Sequence, residues 1–202
     1  GGSNLNNWGL DLGGTTSFAG TIYDYHGGAI TLSGAGSIAG YFAVTSETSP
    51  GVITVTSTGS LTADSGANPQ LAIAIVNDGT ITSESATFTI GSLTNNGTLN
   101  IATSQVTIQS SYSPAPTSVL AVTIAGATAG STYGQLVVNG TFAVAGTLDV
   151  TTPGSFVPTS GELFTISTYT SGSGSFSTVN TTGAASYDAP DVTSTEIQLE
   201  AE

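Results

Sequence analysis

The chain has 202 residues with no Lys or Arg, 13 Asp or Glu and one His, for a formal net charge of −13. Binding to nucleic acid needs cationic side chains that release counterions from phosphates, and docking on anionic headgroups needs them too, so both partner classes are set aside. With 38% hydrophobic and 6% charged residues, against about 25% charged in ordinary soluble domains, the chain can bury a core but must build its polar surface from neutral hydroxyls and amides.

Helix signals are missing, because Gly, Ser and Thr interrupt every window, while period-two alternation recurs throughout; the chain reads as all-β. At the N terminus Trp8 shares a strand face with Leu10 and Leu12, a terminal core plug or a sugar-stacking platform. Tyr23, Tyr25, Tyr41 and Phe42 carry the same two readings. His26 is the sole imidazole, with Asp24 the nearest carboxylate and two glycines after it, and reads as a turn residue rather than a general base. Val52, Ile53 and Val55 mix faces, whereas Thr87–Ile90 and Gln105–Ile108 alternate cleanly.

A turn followed by an apolar strand keeps returning: Gly36-Ser37-Ile38, Gly59-Ser60-Leu61, Gly79-Thr80-Ile81, Gly97-Thr98-Leu99 and Gly140-Thr141-Phe142, at intervals of 23, 20, 18 and 43 residues. A period near 20 predicts a β-solenoid whose rungs stack over a continuous core, the last interval being a doubled one. Asn and Gly suit its corners by tolerating left-handed backbone, and Thr suits the strand starts. A β-sandwich or jelly roll is the alternative. Pro114 and Pro116 make Ser110–Ser118 a loop between an N-terminal part, 1–109, and a C-terminal part, 119–202, or an interruption within one continuous domain.

In the second half the strands Tyr133-Gly134-Gln135-Leu136-Val137-Val138-Asn139-Gly140-Thr141 and Gly146-Thr147-Leu148-Asp149-Val150 precede Pro158, Gly161, Phe164 and Ile166. Over about 130–180 this order and spacing resembles bacterial secreted β-helical proteins, including autotransporter passengers and their associated strand repeats. The rungs around Leu10–Leu12, Phe18–Ile22 and Ile30–Gly36 resemble them more distantly. The resemblance implies export and a helical β fold; such scaffolds serve adhesion, fibre building and surface coating alike. The chain departs from the family in lacking Lys and Arg, and no membrane-embedded barrel follows Glu202, so residence at an outer membrane is not implied.

The candidate chemistry is thin. Solenoid enzymes acting on acidic polysaccharides need a basic residue, and no carboxylate pair has the setting of a glycosidase; Asp149 and Glu162 sit at corner-like positions, and no enzyme is expected. No cofactor is expected either, calcium being the one ion for which Asp64, Asp78, Asp188 and Asp191 offer oxygens, and Asx turns explain these residues as well. Asn96, Asn139 and Asn180 head glycosylation sequons, the first two at expected rung corners.

There is no Cys for disulfides, no Met and no apolar run long enough to span a bilayer; the chain reads as a mature or excised piece of a secreted precursor. Trypsin-like proteases have no site in it. The last strand alternates strictly, with Ile197, Leu199 and Ala201 on one face and glutamates and Gln198 on the other. That face either closes its own fold or completes a neighbour by strand addition. The expected protein is an extracellular or cell-surface structural subunit of a fibre or surface layer that partners itself through Trp8, Leu10, Leu12, Ile197, Leu199 and Ala201. A glycan-binding adhesin is the alternative.

Overall fold

The structure, a computed structural model, describes residues 3–5, 9–19, 21–24, 28–44, 51–66 and 68–202. Among these there is no helix. The strands are β1 (Ser3–Leu5), β2 (Gly9–Leu12), β3 (Thr16–Phe18), β4 (Thr21–Asp24), β5 (Ala29–Leu32), β6 (Ala35–Ile38) and β7 (Tyr41–Val44). Then come β8 (Val52–Val55), β9 (Ser60–Ala63), β10 (Gln70–Asn77), β11 (Thr80–Ser83), β12 (Thr87–Asn95), β13 (Thr98–Ala102) and β14 (Gln105–Ile108). The last are β15 (Val119–Thr123), β16 (Gln135–Val144), β17 (Thr147–Thr152), β18 (Leu163–Gly174), β19 (Thr178–Gly183), β20 (Asp191–Val192) and β21 (Glu196–Glu200).

These strands form two sheets. The smaller runs β3-β6-β9-β11-β13-β15-β17-β19, and the larger takes the strands between them. From β8 to β19 the chain alternates, one strand to each sheet. Every pairing is parallel until β20 and β21, which run antiparallel. That pattern is unlike the antiparallel hairpins of the sandwich alternative. In the larger sheet β7 and β8 are separate strands, and β10 is long enough to pair with both.

Register explains the core. In the smaller sheet Gly36, Leu61, Ile81, Leu99, Leu120, Leu148 and Val179 pair one upon the next. From Leu61 onward their side chains point inward, and Leu61 to Leu148 are buried. Strands lie about 4.8 Å apart, so each aliphatic group rests on its neighbour and forms a column. The apparent mixing of faces at Val52–Val55 resolves the same way: Ile53 and Val55 are buried, and Val52 is half-exposed on the outside.

The spacing of the turns is confirmed in the middle and corrected at both sides. Thr80 pairs with Ser60 and Thr98 with Thr80, as the intervals of 20 and 18 require. Ser60, however, pairs with Ala35, so Gly59 matches Gly34 rather than Gly36. The interval of 43 has no place in this ladder, because Thr141 belongs to β16 in the larger sheet, and the residue in register with Thr98 and Val119 is Thr147. The interval between paired residues lengthens from 18 residues between Thr80 and Thr98 to 31 between Thr147 and Thr178. Larger side chains fill the core here: Tyr112 lies tilted against Phe142 at a centroid separation of 5.2 Å, Phe142 meets Tyr169 edge-on at 5.5 Å, and Phe164 meets Tyr133, Phe156 and Tyr187 edge-on.

Gly146, before Thr147, takes the left-handed backbone expected of a corner, with φ 85°, but Gly79 and Gly97 are required for another reason. A Cβ on Gly79 would lie 2.2 Å from the Thr56 carbonyl oxygen, and one on Gly97 would lie 2.1 Å from that of Gly79. The corners stack backbone on backbone, with Thr80 N–H donating to Gly59 and Thr98 N–H to Gly79. No side chain fits between them.

Across Ser110–Ser118 the flanking strands pair directly, β13 with β15 and β14 with β16. One apolar cluster runs from Ile30 to Ala201. Tyr112, within this stretch, is buried in that core.

Candidate assembly surface

The C-terminal end is finished differently in its two halves. In the larger sheet the first half of β18 is covered by β21, with Phe164 opposite Leu199 and Thr168 opposite Glu196. The Tyr169 hydroxyl lies 2.9 Å from the carbonyl oxygens of both Thr193 and Glu196, pinning the return of the chain. Loss of water raises the Tyr169 pKa, and the Glu196 and Asp191 carboxylates add to the rise. Tyr187 closes the other side, its hydroxyl 2.8 Å from Thr152 Oγ1 and its ring edge-on to Phe164.

The second half of that end is open. Ser171–Gly174 pairs with Thr141–Val144 on one edge, and β19 pairs with β17 on one edge; among the described residues nothing pairs with the other edge of either. Every residue of β19 is exposed. Val179 ends the inward column and is 37% exposed, where Leu148 before it is fully buried. Beside it an apolar recess is lined by Phe176, Val179, Ala189, Pro190 and Val192.

Backbone direction follows from the ladder. Thr98 and Thr147 each donate an N–H back to the preceding circuit, and Thr178 is in register with Thr147. In a parallel strand the N–H and C=O groups of alternate residues point to opposite sides. The backbone groups of Val179 and Thr181 therefore face the open edge. On the outer face of the same strands Asn180 Nδ2 donates to Asp149 Oδ1 at 2.8 Å, and the Thr151 and Thr182 hydroxyls lie 3.1 Å apart.

At the opposite end β2 pairs only with β5 and β3 only with β6 among the described residues. Leu10 is in register with Ile30, and Leu12 with Leu32, both buried, which puts Leu10 and Leu12 on the inward side. Leu10 is 37% exposed. Trp8, Tyr25 and His26 lie outside the described residues. Tyr23, Asp24 and Phe42 are described as positions on β4 and β7, and Tyr41 is exposed.

Three residues expected to serve assembly do not stand at a surface. Ile197, Leu199 and Ala201 are buried within their own chain, so the last strand closes its own fold instead of completing a neighbour. The reason is the antiparallel return: β21 lies on Leu163–Thr168 and its apolar face enters the core beside Phe164.

The ion candidates are scattered. Among the described residues no three His, Asp or Glu side chains gather as a metal would need. Asp78 accepts from Asn96 Nδ2 at 2.8 Å, Asp188 and Asp191 are exposed on the return of the chain, and Asp64 follows β9. Glu162 holds a turn by accepting from Thr159 N–H, as its corner-like setting suggests, while Asp149 stands mid-strand in β17 rather than at a corner. Among the sequons, the amides of Asn96 and Asn180 are bonded to the carboxylates of Asp78 and Asp149. Asn139 is exposed where β16 shifts register, not at a corner of the smaller sheet.

Sequence reasoning missed β19 because Thr178–Gly183 (TVNTTG) has one apolar residue and no clean alternation. The available signal was register: Val179 follows Leu148 in the column. No protein-family model, curated protein or solved structure matches this chain.

Proposed function

We propose that the two parallel sheets are the walls of a β-solenoid, and that the protein is a secreted structural segment of an extracellular fibre or surface layer. The observation that carries this reading is the half-finished C-terminal end. The chain builds an antiparallel cover for the larger sheet and leaves the smaller sheet's last strand with a free edge and an exposed inward side chain. Free strand edges template further pairing. The rest of the surface suits a passive scaffold: no cation for nucleic acid or anionic lipid, and no Lys or Arg for trypsin-like proteases. The same chemistry gives no reason to assign catalysis or a cofactor. The glycan-binding alternative draws no support from the outer faces, where no column of aromatic side chains stands among the described residues.

Negative-stain electron microscopy of the purified chain, across concentration and salt, tests the reading. Fibres, sheets or end-joined particles are expected. Dispersed single particles under all conditions would sink it.

A further inference from the structure

We propose that the free C-terminal edge is a docking site for the N-terminal circuit of a second copy, so that the chains join head to tail with one continuous smaller sheet. This rests on the structural-segment reading above and specifies its contact. Three observations single out a second copy as the occupant.

First, both ends present the same unit in the same order: a larger-sheet strand, a short corner, a smaller-sheet strand. At the N-terminal end the unit is Gly9–Leu12, then residues 13–15, then Thr16–Phe18. At the C-terminal end it is Ser171–Gly174, then residues 175–177, then Thr178–Gly183. Each smaller-sheet strand runs parallel to the one it pairs with, so stacking one end on the other makes the parallel pair found at every other level.

Second, the apolar groups left uncovered are on the inward side at both ends. Leu10 and Leu12 are in register with buried Ile30 and Leu32 at one end, and Val179 follows buried Leu148 at the other, beside Phe176 and Val192. Joining the ends would cover both sets at once.

Third, continuing the register places polar opposite polar on the outside. Val179 would pair with Thr16, Asn180 with Ser17 and Thr181 with Phe18. Asn180 and Ser17 already belong to outward columns in which neighbouring side chains bond, Asn180 to Asp149 and Ser17 to Ser37. The capped half of the C-terminal end keeps β21 outside the junction, so the contact uses only the uncovered half.

Two variants test it, one for each end. Val179→Asp puts a carboxylate into the junction from the C-terminal side, and Leu10→Asp does so from the N-terminal side. Thr82→Asp, on the outer face in mid-stack, adds the same charge away from the ends. Sedimentation velocity is read over a hundredfold range of concentration at low and high salt, with circular dichroism and thermal melting confirming that each variant is folded. Wild type and Thr82→Asp should grow to species larger than dimers, more so at high salt, which screens the repulsion of a −13 chain. Each end variant alone should remain monomeric. An equimolar mixture of the two should form dimers and stop, because each supplies the one intact end the other lacks. If wild type assembles and both end variants assemble like it, the contact lies elsewhere: this inference is overturned while the fibre reading stands. A mixture that stays monomeric while wild type grows also overturns head-to-tail docking. If wild type never assembles, both readings fail. Thr181→Pro, which removes an N–H from the free edge and adds no charge, is the second C-terminal variant should Val179→Asp not fold.

Discussion

Asn77 Nδ2 donates to the side-chain oxygen Oδ1 of Asn95 at 2.7 Å inside the core, and Asn95 Nδ2 in turn donates to the Tyr112 hydroxyl at 3.1 Å. Both asparagines are essentially inaccessible to solvent, at 0% and 1% exposure. They occupy the column position that Val55 fills one circuit earlier. The Asn77 oxygen accepts from the Gly79 N–H, and its amide also reaches the Thr98 carbonyl. A buried polar ladder therefore ties the corner backbone of one circuit to the next and ends on a tyrosine.

Removing one member should cost the others their bonds to it. Asn95→Ala takes one of two acceptors from the Asn77 amide and leaves the Tyr112 hydroxyl without its partner in an apolar interior, a loss of about 2–4 kcal/mol from two broken bonds at about 1–2 kcal/mol each. Asn77→Val, which copies the residue one circuit earlier, should be less harmful than Asn77→Ala because it fills the space. Urea unfolding of the singles and of the Asn77/Asn95 double variant measures the coupling. A strictly additive double variant would show that the two amides do not act together.

The corner glycines give a second prediction. Gly97→Ala puts a methyl 2.1 Å from the Gly79 carbonyl oxygen, so the stacked corners must part. The expected loss is about 1–3 kcal/mol, as for overpacking in a rigid interior. Gly154→Ala is the control, since nothing lies within 4 Å of the added carbon there, and should stay within about 0.5 kcal/mol of wild type. Equal melting temperatures for the two variants would contradict the steric account.

Much of this was legible in the sequence wherever one residue type has one structural use. Thr80-Ile81 and Thr98-Leu99 stood out because each repeats a Gly corner, an outward Thr and an inward aliphatic residue, and their intervals are the register spacings of paired strands. Gly140-Thr141-Phe142 carries the same letters in the other sheet, where Phe142 also points inward, so composition alone could not separate them. The Asn ladder was read as a set of turn residues because a buried Asn and a turn Asn look alike in sequence; burial and the partner oxygen distinguish them. The Ile197 face was correctly seen as needing a core, but strand direction decides whose core, and alternation does not encode direction.

The closing role of β21 predicts failure of folding, not only of assembly. Ile197→Asp or Leu199→Asp would bury a carboxylate in a chain that has no Lys or Arg to pair with it. Each should cost upwards of about 4 kcal/mol, the range reserved for unpaired buried charge and large core defects. Thermal melting should show a large fall in transition temperature or loss of the transition. A Leu199→Asp variant that is folded and as stable as wild type would mean β21 is not part of the closed core.

A smaller effect is expected at Thr16, whose Oγ1 is the one buried side-chain oxygen without a hydrogen-bond partner among the described residues. Thr16→Val keeps the shape and removes the unmet group. A gain of about 1 kcal/mol is expected, read as a shift in the urea midpoint. A loss would mean the hydroxyl is satisfied in solution.

Alkaline stability follows from the tyrosines. Burial raises the pKa of Tyr112 far above the usual tyrosine range, against a smaller lowering by its bond to Asn95. Tyr133 and Tyr187 are raised by burial as well. A tyrosine whose folded pKa exceeds its unfolded value of about 10 holds its proton longer in the folded state, so the unfolded state gains by ionising first. The contribution is fully present below pH ~10 and falls as pH rises above it, by up to about 1.4 kcal/mol per pH unit for each such group. Because the chain has no Lys, Arg or Cys, tyrosines are the side chains titrating there. Unfolding should therefore coincide with the appearance of tyrosinate absorbance from Tyr112, Tyr133, Tyr169 and Tyr187, in one cooperative step well above pH 10. Tyr112→Phe should lower stability at neutral pH, because Asn95 loses its acceptor, and should make the alkaline decline shallower. Tyrosinate absorbance from all seven tyrosines near pH 10 with the fold intact would show that none of these hydroxyls is shielded.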